Sequence, residues 1–152
     1  MMEIEETILA GKKLNPLQQE TLEQQIAAGS THALVLLGKY YAFGAGDDAD
    51  SALELFYQAA QLASIDAMVE LGALLVLLEA EDQALPWFEK AAKQDNTEAL
   101  LYLGDLYAAQ EPTPANQKKA RAYYAKAAEL GNPEAIRILA EGTMEGEEEN
   151  KE

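Results

Sequence analysis

Three stretches decide the fold: ALELFYQAAQLASIDA at residues 52–67, ALPWFEKAAKQDNTEA at 84–99 and ARAYYAKAAELGNPEA at 120–135. Each begins with alanine, has an aromatic residue four positions later and an alanine pair at seven and eight, and reaches another alanine after 15 residues. Small and large residues that recur at spacings of 3, 4, 7 and 8 mark one face of a helix. The stretches therefore predict a helix of fixed length that occurs three times.

A second helix precedes each of these stretches. It is marked by an alanine that is followed by Leu-Gly, at residues 37–38, 71–72 and 103–104. From that alanine to the next stretch the distance is 19, 17 or 21 residues, which indicates a loop of variable length between the two helices. Glycine inside a helix costs about 1 kcal/mol relative to alanine, so its recurrence predicts close packing at that position. The repeating unit is a helix A, a variable loop, a helix B and a tight turn.

These units predict an all-α fold, a right-handed superhelix of about three and a half helix-turn-helix repeats. Asn15-Pro16 and Asn132-Pro133 each pair an N-cap residue with a proline at the first helical position, and so predict two helix starts. The expected divisions are N-terminal capping helices over 1–30, repeats over 31–66, 67–98 and 99–134, a C-terminal capping helix over 135–144 and a disordered acidic tail over 145–152.

The protein is strongly acidic. Its 152 residues carry 27 acidic and 11 basic side chains, a formal net charge of −16. Residues 1–82 hold 14 acids and 3 bases, whereas residues 83–140 hold 7 of each. Such a surface repels nucleic-acid phosphates and anionic lipid headgroups, and it favours a basic partner. High negative charge is also a common route to solubility, and both interpretations remain open.

Cysteine is absent, which excludes disulfides, zinc–thiolate sites and thiol nucleophiles. The first residues, MMEIEETILAGKK, lack the apolar core of a secretion signal. The most apolar run, residues 72–78, is too short to span a bilayer. We therefore expect a cytoplasmic protein without cofactor or metal.

Several segments carry a family resemblance. ALVLLGKYYAFGAG at 33–46, Trp87-Phe88 and KKARAYYAKAAELGNPEA at 118–135 resemble the Sel-one-like repeat (SLR) family, a relative of the tetratricopeptide (TPR-like) repeats. The likeness covers residues 33 to about 140. The middle unit departs from the pattern with Leu75 in place of tyrosine and no Gly-x-Gly loop, and the third unit has a proline-containing loop instead.

The resemblance implies a protein-binding solenoid in which helix A lines the concave face and helix B the convex face. The expected partner is a protein or peptide, which the charge suggests is basic, and we expect neither nucleic acid nor membrane as partner, no catalytic residue and a monomer. Two functions stay open: an adaptor or scaffold, and an acidic inhibitor such as an immunity protein that neutralises a basic toxin or enzyme. The positions expected to face the partner are His32, Val35, Lys39, Asp66, Val69, Ala73, Val76, Glu98, Leu101, Asp105 and Arg137.

Other side chains allow two interpretations each. His32, the single histidine, would need an oriented carboxylate and a nucleophile to act as a base, and otherwise is a surface residue near a helix start. The apolar run 73–78 is either an exposed binding patch or the buried centre of the repeats. Trp87 is either a partner anchor or a packing residue. The basic cluster is either a phosphate site or a solvated face, and comprises Lys118, Lys119, Arg121 and Lys126.

Overall fold

The computed structural model describes the backbone of residues 2–149 and the side chains of residues 3–142. This described part contains nine helices and no strand, which confirms the predicted all-α fold class. The helices are α1 (Met2–Leu9), α2 (Pro16–Ala27), α3 (Thr31–Phe43), α4 (Ala49–Gln61), α5 (Ile65–Leu77), α6 (Glu81–Ala92), α7 (Thr97–Ala109), α8 (Pro114–Glu129) and α9 (Pro133–Glu149).

The chain divides into two compact units, Met1–Ala84 (unit 1) and Leu85–Glu152 (unit 2). In unit 1, α3 packs against α4 and α5, α4 packs against α5, and α1 and α2 cover α3. In unit 2, α8 packs between α7 and α9. The A and B helices of the predicted repeats are thus α3 and α4, α5 and α6, and α7 and α8, with α9 as the A helix of a fourth, partial unit.

Both predicted Asn-Pro helix starts are confirmed. The Asn15 side chain accepts a hydrogen bond from the Gln18 backbone N–H at 2.8 Å, and the Gln18 side chain accepts one from the Asn15 N–H at 3.0 Å. The Asn132 side chain accepts from the Ala135 N–H at 3.0 Å. Caps of this kind stabilise a helix by about 1 kcal/mol each.

The close packing predicted at the glycine of helix A is confirmed in repeats 1 and 3, where the neighbour is the aromatic ring of helix B. A Cβ atom on Gly38 would overlap the ring of Phe56, and one on Gly104 would lie 2.5 Å from Cε1 of Tyr124. Phe56 is fully buried and Tyr124 nearly so. The cost of glycine inside these helices is therefore offset by the approach of a ring to the backbone.

The degenerate first unit, which ends with α2, has an aliphatic residue where the later units have the aromatic ring of helix B. Leu22 of α2 occupies the aromatic position of the repeat and is fully buried. Around it lies the core of the N-terminal end, to which α1 contributes Ile4 and Ile8. The first two helices thus cover α3 with apolar side chains.

The turns from helix B to helix A use the left-handed backbone region at one repeated position. Glycine is found there twice, at Gly29 (φ +92°) and Gly131 (φ +90°). Ala63 (φ +65°) and Asp95 (φ +59°) have the same conformation although they carry a Cβ atom. The backbone geometry of the turn is therefore kept even where the residue is strained.

One predicted helix end differs from the structure. Helix α9 runs to Glu149, whereas the sequence predicted a helix end at residue 144 followed by disorder. Glutamate is a good helix former, which favours continuation of the backbone helix over residues 145–149. Residues 150–152 of the predicted tail lie outside the described residues.

Candidate functional site

The A helices of unit 1 expose only some of the expected contact residues. His32 and Asp66 are exposed, and Ala73 and Val76 are half-buried. Val35 and Val69, however, retain only 6% and 3% of their exposure. They occupy equivalent positions in α3 and α5, and both side chains belong to the core of unit 1. The expectation that these two valines face a partner is therefore corrected.

The two basic residues expected in unit 1 are bound to carboxylates. Lys39 Nζ of α3 lies 3.3 Å from Glu70 Oε1 of α5, which connects two successive A helices. His32 Nε2 of α3 lies 2.8 Å from Glu5 Oε1 of α1, which connects α1 with the first repeat. Neither acidic partner was found from the sequence, because each contact depends on the register between two helices.

The expected contact residues of unit 2 are more polar. Glu98 and Asp105 are exposed and Leu101 is half-buried. Asp105 accepts a hydrogen bond of 2.6 Å from the Tyr124 hydroxyl. Burial and this hydrogen bond raise the pKa of Tyr124 above the usual range of tyrosine. Asp105 thus faces solvent while it also holds a core aromatic residue of helix B.

Arg137, the last expected contact residue, lies between two acids of α9. It forms hydrogen bonds with Glu134, and its Nη1 atom lies 3.1 Å from Glu141 Oε1. The hydrogen bond from Arg137 lowers the pKa of Glu134, and the same hydrogen bond raises the pKa of Arg137. Spacings of three and four residues place all three side chains on one helix face.

The apolar run 73–78 divides into a buried and an exposed part. Leu74 and Leu75 are buried in the core. Leu77 and Leu78, at the end of α5, are exposed. Helix geometry produces this division, because six consecutive residues span more than one turn of 3.6 residues and so reach every side of the helix. The interpretation as buried centre therefore holds for Leu74 and Leu75, whereas Leu77 and Leu78 are exposed.

Trp87 and the basic cluster mainly have partners within the protein. Trp87 is half-buried, and Lys90 Nζ lies 4.6 Å from its ring centroid. In the basic cluster of α8, Lys119 Nζ lies 5.1 Å from the ring centroid of Tyr107, and Lys126 Nζ lies 3.5 Å from Asp95 Oδ1. These contacts are more typical of a solvated helix face than of a phosphate site.

The acidic loop after α3 serves to start the next helix. Asp48 caps α4 and accepts hydrogen bonds from the Ser51 hydroxyl at 2.7 Å and the Ser51 N–H at 3.1 Å. These bonds lower the pKa of Asp48. Within the described residues, no group of three or more histidine or acidic side chains is arranged to hold a metal ion. No helix in the same part of the chain has the length and apolar character needed to cross a membrane.

Comparisons with known proteins agree with the division into three repeats. The family model described as Sel1 repeat matches residues 31–64, 65–96 and 97–132. An uncharacterized protein of Neisseria meningitidis serogroup B is 35% identical over 117 residues, which are 76% of this chain and 25% of that protein. This chain thus spans about a quarter of the length of that relative.

Two crystal structures share the fold. A Sel1 repeat protein from Oxalobacter formigenes matches with a TM-score of 0.64 and 24% identity, over 74% of this chain and 90% of that one. A protective antigen present in uropathogenic Escherichia coli strains, which displays an SLR fold, matches with a TM-score of 0.67 and 26% identity, over 78% of this chain and 27% of that one. They confirm the predicted SLR, TPR-like class of helical repeat fold.

Proposed function

This chain belongs to the Sel1 repeat family, and we propose on that premise that it is an adaptor or scaffold that binds a protein or peptide through its A helices. The Sel1 repeat fold is a scaffold for protein–protein interaction, and its members are typically adaptors without enzymatic activity. Three in-frame repeats are the observation that carries the proposal. The proposal includes a cytoplasmic monomer that needs no cofactor and catalyses no reaction.

Each unit offers its own set of contact residues on the A helices. In unit 1 the set combines the half-buried Ala73 and Val76 with the exposed Asp66, and His32 and Lys39 complete it. In unit 2 the set is Glu98, Leu101, Asp105 and Arg137. Half-buried apolar side chains beside exposed charges are typical of an interface, where burial gives affinity and the surrounding charges give specificity.

The charge of unit 1 supports a basic partner. Residues 1–82 hold 14 acids and 3 bases, and one of those bases, Lys39, is already bound to Glu70. A field of one sign accelerates the encounter with a partner of opposite charge. The same observation supports a second candidate, an inhibitor such as an immunity protein that covers a basic toxin or enzyme.

Affinity capture with two charge-reversed variants tests the proposed surface. Asp66→Arg changes an exposed acid on the A helix α5, and Glu54→Arg changes an exposed acid on the B helix α4. We expect Asp66→Arg to weaken binding of the captured partner by about tenfold or more, and Glu54→Arg to change it far less. Equal loss in both variants would contradict binding through the A helices.

The kinetics of the same complex separate the adaptor from the inhibitor. An inhibitor of one basic protein should bind with sub-nanomolar affinity and an association rate that falls steeply with salt. An adaptor should bind several partners with micromolar affinity and little dependence on salt. An association rate that is the same at low and high salt would exclude the inhibitor.

A further inference from the structure

Unit 1 has an exposed apolar edge where its A helices end. Phe43 is the last residue of α3 and Leu77 the last of α5, and Leu78 follows directly. All three side chains are exposed, Leu77 to 67%. Phe43 and Leu77 occupy equivalent positions of their repeats, so the fold brings an apolar side chain to the same end twice.

The topology places these residues on one side of unit 1. Helix α4 packs against both α3 and α5, and short loops connect the three helices. Neighbouring helices joined by short loops are antiparallel, so α3 and α5 are parallel to each other. The Lys39–Glu70 ion pair holds these two helices side by side. Their C-terminal ends therefore lie on the same edge, which we call the AB edge.

Exposed carboxylates follow the apolar residues of the AB edge closely along the chain. Three of them follow α3 and three follow α5, and all six are exposed: Asp47, Asp48, Asp50, Glu79, Glu81 and Asp82. From Tyr40 to Glu89 the sequence has no lysine, arginine or histidine. The edge thus combines exposed apolar side chains with charge of one sign only.

Helix capping explains only part of this arrangement. Asp48 caps α4, and acids in the first turns of α4 and α6 interact favourably with the helix dipole. Glu79 has no such role, since it lies before α6 with a left-handed backbone (φ +60°) that glycine would adopt without strain. The exposed apolar residues are not explained by capping either. Phe43 has its ring centroid 6.4 Å from that of the buried Phe56, yet about half of its surface stays exposed, and Leu77 and Leu78 are exposed as well.

The corresponding edge of unit 2 lacks these properties. Helix α7 ends with Ala109, a small residue at the position of Phe43 and Leu77. The following loop has one acid, Glu111, and α8 then adds Lys118 and Lys119. The combination is therefore a feature of unit 1 and not a general consequence of the repeat.

We propose that the AB edge of unit 1 is a docking surface for a basic amphipathic segment of a partner protein, with lysine or arginine on either side of an apolar side chain. The apolar side chain packs on Phe43, Leu77 and Leu78, and the cations face the six carboxylates. Charge complementarity selects this partner over an acidic or purely apolar one. The inference rests on the proposed protein-binding function but assigns it a surface outside the A-helix contact set.

The test is an NMR titration of the full chain with a synthetic amphipathic peptide of lysine and leucine. We expect amide shifts at Phe43, Leu77 and Leu78 and saturable binding. A lysine–alanine peptide and a glutamate–leucine peptide should each bind at least tenfold more weakly, because each lacks one of the two recognised features. Equal affinity of the lysine–alanine peptide would show attraction by charge alone and would overturn the proposal.

Matched variants localise the binding. Leu77→Gln should weaken binding of the lysine–leucine peptide about tenfold, as expected for an interface anchor. Leu62→Gln is the control, since Leu62 is 61% exposed at the opposite end of α4. Glu79→Gly should weaken binding several-fold while the protein stays at least equally resistant to heat, because the left-handed strain is relieved. Equal effects of Leu77→Gln and Leu62→Gln would overturn the proposal.

The NMR titration also distinguishes failure of the AB edge as a docking surface from failure of binding through the A helices. Shifts at His32, Asp66 and Ala73, with none at the AB edge, would overturn the docking surface and leave binding through the A helices intact. Shifts at the edge that persist in the Asp66→Arg variant would support the docking surface even if the A-helix set fails its own test.

Discussion

Repeat 1 and repeat 3 build the same contact from different residues. In unit 1 the glycine of α3, Gly38, lies under Phe56, and the next residue is Lys39. In unit 2 the glycine of α7, Gly104, lies under Tyr124, whose hydroxyl donates to the next residue, Asp105. Packing of a ring on glycine is thus fixed by the repeat, whereas the polar group beside it varies. The core positions therefore define the fold, and the positions next to them are free to define each surface.

Removal of the aromatic ring that packs on the glycine should have the largest effect on stability in both repeats. We expect Phe56→Ala and Tyr124→Ala each to lower the free energy of unfolding by about 3 to 5 kcal/mol, through lost burial and the cavity left behind. Urea unfolding followed by circular dichroism measures the loss. If either variant lost less than about 1 kcal/mol, the ring–glycine contact would not be a principal element of that unit.

Removing only the hydroxyl should distinguish the two repeats. Tyr124→Phe converts the ring of repeat 3 into that of repeat 1, and we expect a loss of about 1 kcal/mol from the hydrogen bond to Asp105. Phe56→Tyr is the reverse change in unit 1, and it should gain nothing, since Lys39 stands where repeat 3 has its acceptor. A stabilising Phe56→Tyr would contradict the role assigned to Asp105.

Tyr124→Phe should also change how the free energy of unfolding depends on alkaline pH. Tyr124 has a raised pKa in the folded protein, so its contribution to stability is complete below the unfolded pKa of about 10. That contribution is lost as the pH rises above this value through the folded pKa. The unchanged protein should therefore exceed Tyr124→Phe in free energy of unfolding at neutral pH, and this difference should become smaller above pH 10. Urea unfolding at several pH values measures it.

The smallest expected effects concern the turns, where the two units again differ. Gly131 and Ala63 have the same left-handed conformation at the same repeat position. Ala63→Gly should stabilise unit 1 by about 0.5 kcal/mol, because relief of strain exceeds the added freedom of the unfolded chain. Gly131→Ala should destabilise unit 2 by about 1 kcal/mol. Thermal unfolding measures both, and changes of the same sign would contradict equivalence of the two turns.

The sequence predicted the helices well because spacing and capping are local properties. Alanine, glycine and aromatic residues recur at helical intervals, and Asn-Pro pairs specify a helix start whatever lies around them. Close packing at the glycine could also be predicted, since a residue that is unfavourable in a helix recurred at one position of three repeats. These features need no knowledge of how the helices pack together.

The candidate site was harder to predict because it depends on packing between helices. Counting along α3 and α5 placed Val35 and Val69 on the contact face, but the structure buries both valines in the core. The ion pair between His32 and Glu5 joins residues 27 positions apart, and no spacing within the chain indicates it. Leu77 could not be assigned from six apolar residues in a row, because the exposed part depends on where α5 ends.

The unbroken absence of basic residues from Tyr40 to Glu89 also determines how the AB edge can be observed chemically. Amine-reactive cross-linkers, lysine acylation and tryptic cleavage have no target anywhere along it. A lysine-based cross-link to a partner held there would have to start from a lysine outside the edge, such as Lys39, and would not mark the edge itself. Carbodiimide coupling of the carboxylates of Glu79, Glu81 and Asp82 to lysines of the partner is the chemistry that this surface permits.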